Sequence, residues 1–234
     1  MSVLVVVPTY NEKENLPLLV PAVLVHQGVN MLIVDDGSPD GTGALADELS
    51  RQYPGRIEVM HRTGPRGLGR SYVDGLQRAL QTDAMLICQM DADLSHNPEY
   101  LPALIAGAAK HDVVIGSRYL QGISVVNWPL HRIFLSTFAN RYIKAVTGLS
   151  PADCTSGYRC WRRETLQKLR LDQVVTEGYA FLVEMLFEAA RSGANIGEVP
   201  IIFVERRQGQ SKVSSKVLVE SLIAPWRLAL RGRR

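Results

Sequence analysis

Short, continuous apolar runs alternate with longer charged segments of helical period through the first 120 residues of the chain. Val3–Val7, Met31–Asp35, Ile57–His61, Ala84–Met90 and Val113–Gly116 are rich in Val, Ile, Leu and Met, without the every-other-residue polarity of a half-exposed strand. Such runs predict strands buried on both faces. Between them, Glu14–His26, Thr42–Tyr53, Leu68–Thr82 and Pro98–His111 have helical length and spacing, the last with Asn97 as N-cap and Pro98 in the first turn. Strand and helix in alternation predict an α/β fold built on a mostly parallel, doubly wound sheet. In such sheets ligands bind beyond the carboxyl ends of the strands, here 8–12, 35–40 and 91–96.

The second half is less regular. The pattern predicts a helix over Trp128–Gly148 with apolar and basic faces, a strand over Gly157–Arg162, a helix over Gly178–Ser192 and a strand over Ile196–Val204. Lys212–Arg231 is a last amphipathic stretch, expected to kink or break at Pro225. No linker-like segment divides the chain, so the expectation is one domain over 1–211 and a basic C-terminal segment over 212–234. That segment lies either on a membrane surface or against the core.

Bulk properties add limits. A chain of 234 residues, 46% hydrophobic, can bury one sizeable core. Its formal charge of +3 does not select a partner, but Arg227, Arg231, Arg233 and Arg234 crowd the end, where they suit an anionic surface as well as solubility. Three cysteines without metal-ligand spacing argue against a disulfide framework or a structural zinc site and fit a reducing, cytoplasmic setting. No apolar run reaches membrane-spanning length, so any membrane contact is expected to be peripheral.

The candidate chemistry lies at the predicted strand ends. Asp91-Ala92-Asp93 follows an apolar run directly, and alternation along an extended strand puts both carboxylates on one side, where they can share a divalent ion. Alone, this pair is as readily a solvated strand end. Asp35-Asp36 opens a segment of turn-forming residues through Thr42, and its acids can accept hydrogen bonds from a base or ribose. In Pro8-Thr9-Tyr10-Asn11-Glu12, Tyr10 can stack on a base and Glu12 can bind a ribose, while Asn11 as a helix cap is the alternative. The glycine-rich Gly64–Arg70 matches neither a Walker loop nor a dinucleotide fingerprint and reads best as a structural turn. Arg118 ends a strand, and Arg206 and Lys212 flank a Gly/Ser-bearing loop suited to closing over a ligand.

Together these segments resemble the polyprenol (dolichol) phosphate mannose synthases, inverting glycosyltransferases of the GT-A fold. The likeness rests on PTYNE (8–12), VDDGSPDGT (34–42), GLGRSYVDG (67–75), DADLSH (91–96), GSRY (116–119), TSGYR (155–159), EGYAF (177–181) and ERRQGQSK (205–212), in order along the chain. The resemblance implies transfer of mannose from GDP-mannose to a polyprenyl monophosphate, with inversion, at the cytoplasmic face of a membrane and with no nucleic acid involved. By position, Pro8, Tyr10, Glu12, Val34 and Asp36 would hold guanosine. Asp91, Ala92 and Asp93 would meet the donor, the two carboxylates through Mg2+ or Mn2+. Arg118 would lie between donor and acceptor phosphates, Arg132 and Ser136 would take the acceptor phosphate, and Arg206 and Lys212 would close on the donor. Asp93 and Arg118 are the implied catalytic residues. Ser95 stands where some relatives carry Gln, and 205–212 departs from the commoner form at Glu205 and Gln208. The rival readings are a polyprenyl-phosphate glucosyltransferase using UDP-glucose and a non-catalytic nucleotide-sugar-binding subunit.

Overall fold

The computed structural model describes residues 2–174, 178–205 and 215–231. The five predicted N-terminal strands form: β1 (Val3–Thr9), β2 (Val29–Asp35), β3 (Ile57–His61), β4 (Leu86–Gln89) and β5 (Val113–Ser117). The helices between them are α1 (Leu16–Leu24), α2 (Thr42–Gln52), α3 (Leu68–Ala79) and α4 (Leu101–Gly107). A single 3-10 turn, Pro98–Tyr100, precedes α4, and the Asn97 side chain caps it by accepting the Glu99 amide. Asn11 does not cap α1. It sits in a left-handed turn (φ 60°) ahead of the helix, whose N-cap is Asn15.

The remaining elements are β6 (Val125–Val126), α5 (Leu130–Thr147), β7 (Arg159–Arg162), α6 (Arg163–Lys168), α7 (Gly178–Arg191), β8 (Ile196–Pro200), β9 (Phe203–Val204) and α8 (Ser215–Arg231). The seven-stranded sheet has the order β3-β2-β1-β4-β7-β5-β8. All pairs are parallel except those of β7, which runs antiparallel between β4 and β5. The single strand expected over Ile196–Val204 is two. β8 joins the main sheet, and β9 pairs with β6 in a separate two-stranded ribbon.

Side chains alternate across the sheet, and both faces are covered. Leu4, Val6, Leu32 and Val34 face Tyr72 and Leu76 of α3 and Phe181 and Leu186 of α7. Val3, Val5, Val7, Met31 and Ile33 face Leu16, Leu19 and Val20 of α1 and Leu104 of α4. Helix α3 lies especially close to the sheet, because Gly75 has no side chain. A Cβ there would stand 2.6 Å from Val6 and 2.9 Å from Val34.

Helix α8 continues unbroken through Pro225. It buries Ala224 and Leu228, and Arg231 pairs with the buried Glu184 of α7 at 3.2 Å. Packing on α7 and α5 offsets the hydrogen bond that proline removes. The boundary expected at 211/212 lies outside the described residues. No described helix is long and apolar enough to cross a membrane.

Candidate active site

Strand order reverses around β1, whose neighbours β2 and β4 lead to opposite edges of the sheet. A crevice opens at the carboxyl ends of strands where the winding reverses in this way. The chain leaving β1 carries Tyr10 and Glu12, that leaving β2 carries Asp35 and Asp36, and that leaving β4 carries Asp91 and Asp93. The three predicted segments therefore converge on one rim.

On the β1/β2 side, hydrogen bonds knit the loops together. Glu12 donates its amide to Thr42 Oγ1 (2.9 Å), and its carboxylate accepts from Asn15 Nδ2 (2.6 Å). Asp40 Oδ1 accepts from both the amide (3.0 Å) and the hydroxyl (2.6 Å) of Thr42. Burial alone would raise the Asp40 pKa, but the Thr42 bonds outweigh it and hold the carboxyl below its ordinary value. Asp36 is buried, ion-paired through Oδ1 with Arg62 and accepting the Gly67 amide on Oδ2 at 2.8 Å. That amide belongs to the glycine-rich segment, so the segment serves as a structural turn over Asp36. Arg66 lies 4.8 Å from the Tyr10 ring centroid and donates to Tyr10 Oη (2.8 Å) and to the Gly37 carbonyl (3.1 Å). Pro8 and Val34 are buried in their strands. The Val34 side chain packs towards Gly75 under α3, so only its main chain can meet a ligand.

On the β4 side, Leu94 adopts a left-handed conformation (φ 62°), a costly one for a bulky residue. It turns the chain so that Ser95 donates its amide (3.1 Å) and hydroxyl (2.5 Å) to Asp93 Oδ1. Ala92 is buried beneath this turn. Asp91 Oδ1 accepts from Tyr72 Oη at 2.7 Å, and the Asp91 amide donates to His96 Nδ1 at 3.0 Å. Burial, followed by the Asp91 charge, pushes the Tyr72 phenol well above its usual pKa, so it stays a donor. No cluster of three or more Asp, Glu, His or Cys groups suited to metal occurs among the described residues. Two partly exposed carboxylates nevertheless suit Mg2+ or Mn2+, which prefer hard oxygen ligands and leave positions for phosphate and water. The Asp91 side chain, 33% exposed, is accessible for this purpose.

Further along the rim, Arg118 is buried and forked by Asp153: Nε to Oδ2 and Nη2 to Oδ1, both at 2.7 Å, with Nη2 also donating to Thr155 Oγ1 at 2.8 Å. Aromatic rings surround it, with Tyr119 at 5.3 Å, Phe203 at 5.5 Å and Trp128 at 5.6 Å. The Trp128 ring also carries Arg132 at 4.0 Å, and Arg132 pairs with Glu205. Ser136 accepts from Tyr119 Oη at 2.7 Å. Phe203 packs edge-on against His96 (5.7 Å), the imidazole that takes the Asp91 amide. An unbroken chain of contacts thus runs from Asp91 through His96, Phe203, Arg118 and Trp128 to Arg132. Arg206 and Lys212 lie outside the described residues, as does Glu177 of the EGYAF segment.

Asp153, Tyr72, His96 and Trp128 were not singled out in the sequence. Tyr72 lies inside a quoted segment and Asp153 two residues before one, but their partners are 19 and 35 residues away. Local patterns do not report such distances.

The fold and this rim define a nucleotide-sugar transferase of the GT-A type. The chain belongs to the glycosyl transferase family 2, whose pattern it matches over residues 4–170. It is 47% identical over 236 residues to the polyprenol monophosphomannose synthase of Mycolicibacterium smegmatis, covering 98% of this chain and 88% of the relative. It is 43% identical over 235 residues to the undecaprenyl-phosphate mannosyltransferase of Micrococcus luteus, covering 100% and 96%. Among solved structures, the fold is similar to glucosyl-3-phosphoglycerate synthase from Mycobacterium tuberculosis, in a complex with Mn2+, uridine diphosphate and glucosyl-3-phosphoglycerate. There the TM-score is 0.69 at 17% identity, over 96% of this chain and 79% of that one.

Proposed function

We propose that this protein transfers mannose from GDP-mannose to a polyprenyl monophosphate, inverting the anomeric carbon. The observation that carries the reading is the continuity of the rim, where contacting side chains link the carboxylate pair to two arginines. The names of the two full-length relatives support the sugar and the lipid acceptor.

A phosphate monoester is anionic at neutral pH and needs no general base to attack. The reaction then requires an in-line approach, neutralisation of the leaving diphosphate and exclusion of water. Asp91 and Asp93 would hold Mg2+ or Mn2+, which when bound supplies Lewis-acid neutralisation of the departing nucleotide. Arg118, fixed by Asp153, and Arg132, resting on Trp128, present cationic donors to the attacking phosphate, with Ser136 alongside. In this reading Tyr10, Glu12, Asp36 and the main chain at Pro8 and Val34 would take the nucleoside, with Arg206 and Lys212, outside the described residues, assigned to the donor. Purified protein given Mn2+ and a short polyprenyl phosphate is expected to use radiolabelled GDP-mannose and to leave UDP-glucose untouched. The reverse preference would reassign the sugar, and no turnover with either would overturn the enzyme reading.

The acceptor's lipid tail calls for an apolar landing surface. Helix α5 exposes Leu130 (83%), Phe134 (74%), Leu135 and Phe138. Helix α8, joined to α5 through Tyr142 Oη and the Leu222 carbonyl (2.6 Å), exposes Leu222, Ile223, Trp226 and Leu230. Arg141 and Arg227 lie on the same two helices. We assign this pair of helices to the cytoplasmic surface of a membrane, with the apolar side chains among the acyl chains and the arginines at the headgroups. Phe134→Glu is expected to cut sedimentation with anionic phospholipid vesicles by about tenfold, from lost apolar burial and added repulsion. Unchanged sedimentation would remove α5 from the membrane face.

A further inference from the structure

The two carboxylates of the rim are supported differently. Asp93 takes two hydrogen bonds from Ser95 in its own turn. Asp91 is gripped from distant parts of the chain. Its Oδ1 accepts from Tyr72 Oη at 2.7 Å, and its amide donates to His96 Nδ1 at 3.0 Å. A Cβ at Gly157 would stand 3.7 and 3.8 Å from the two Asp91 oxygens. Tyr72 is itself immobile. It is 1% exposed, and its ring stacks parallel to Phe181 of α7, with centroids 5.8 Å apart and planes 8° apart.

A phenylalanine would fill the same core volume. The hydroxyl adds one charge-assisted bond to a carboxylate that retains access to water. Its physical effect is therefore to choose the carboxylate's orientation, engaging Oδ1 while part of the group stays exposed. Partners of this kind behind a metal ligand set both its direction and its basicity.

We propose that Tyr72 is a positioning residue that orients Asp91 to bind the divalent cation, with Phe181 of α7 holding the phenol in place. This inference rests on the metal-assisted reading above. Tyr72→Phe keeps the ring and the stack and removes one O–H. Mn2+ binding to the protein–GDP complex, followed by electron paramagnetic resonance without turnover, is expected to weaken by about 10- to 100-fold. GDP binding measured in EDTA and the melting temperature should stay at parent values, and Phe181→Leu should weaken Mn2+ binding by a smaller factor.

Unchanged Mn2+ affinity in folded Tyr72→Phe protein would overturn the proposal. So would an equal loss of GDP binding in EDTA, or a failure to fold, since either would make Tyr72 a core residue only. Failure of the parent protein to bind Mn2+ would instead remove the metal-assisted reading, and this inference with it.

Discussion

Asp93→Ala is expected to lower sugar transfer by about a thousandfold or more, the scale on which a precisely placed neutralising group acts on a developing charge. The fold should survive the change. Asp93 lies on the rim rather than in the core, and its bonds to Ser95 are confined to one turn. Loss of that carboxylate leaves Ser95 short of an acceptor, at a cost of about 1 kcal/mol. Assays with labelled GDP-mannose and Mn2+, together with thermal melts, separate the two effects. Activity retained in a metal-dependent assay would dismiss Asp93 from the reaction.

Asp153→Ala is expected to damage both stability and transfer. Asp153 is fully buried, and the side chain of its partner Arg118 is 8% exposed. Removing the acid strands a guanidinium away from water, which costs about 3–5 kcal/mol in buried pairs. The Arg118 amide also loses its acceptor, at 3.1 Å from Asp153 Oδ2. Burial would raise the Asp153 pKa, but the Arg118 charge and the hydrogen bonds of Arg118 and Thr155 prevail, so the carboxyl sits below its ordinary value. A depressed folded pKa means that the pair's stabilisation is complete above the unfolded value of about 4. It is lost as pH falls through the folded value. Denaturant titrations of parent and Asp153→Asn protein at pH 7 and pH 3 should therefore differ most at pH 7. An equal gap at both pH values would mean that the carboxylate's charge contributes nothing.

Much of the N-terminal half was legible because its signals are local. Runs such as Val3–Val7 and Met31–Asp35 are buried on both faces and read as strands without any tertiary information. The segments 8–12, 35–40 and 91–96 follow the carboxyl ends of β1, β2 and β4, where ligands bind in such sheets. The second half yielded less, because its elements are defined by partners far along the chain. Nothing within Arg159–Arg162 states that it runs antiparallel between β4 and β5. The divide between β8 and β9 is likewise set by which neighbours they meet, namely β5 and β6. Pro225 suggested a break because proline ends isolated helices, whereas contacts on α7 and α5 carry α8 past it. Nothing local to Asp153 marks it as the partner of Arg118, which lies 35 residues away.

The antiparallel strand has a consequence for how this molecule can be made and cut. β7 is inserted between β4, which leads into the carboxylate pair, and β5, which leads into Arg118. During synthesis the sheet's middle therefore stays open until Arg159–Arg162 has emerged from the ribosome. A fragment ending near residue 150 would expose the unpaired edges of β4 and β5, and unpaired edges invite aggregation. Splitting the gene near residue 150 should give insoluble pieces rather than two working modules.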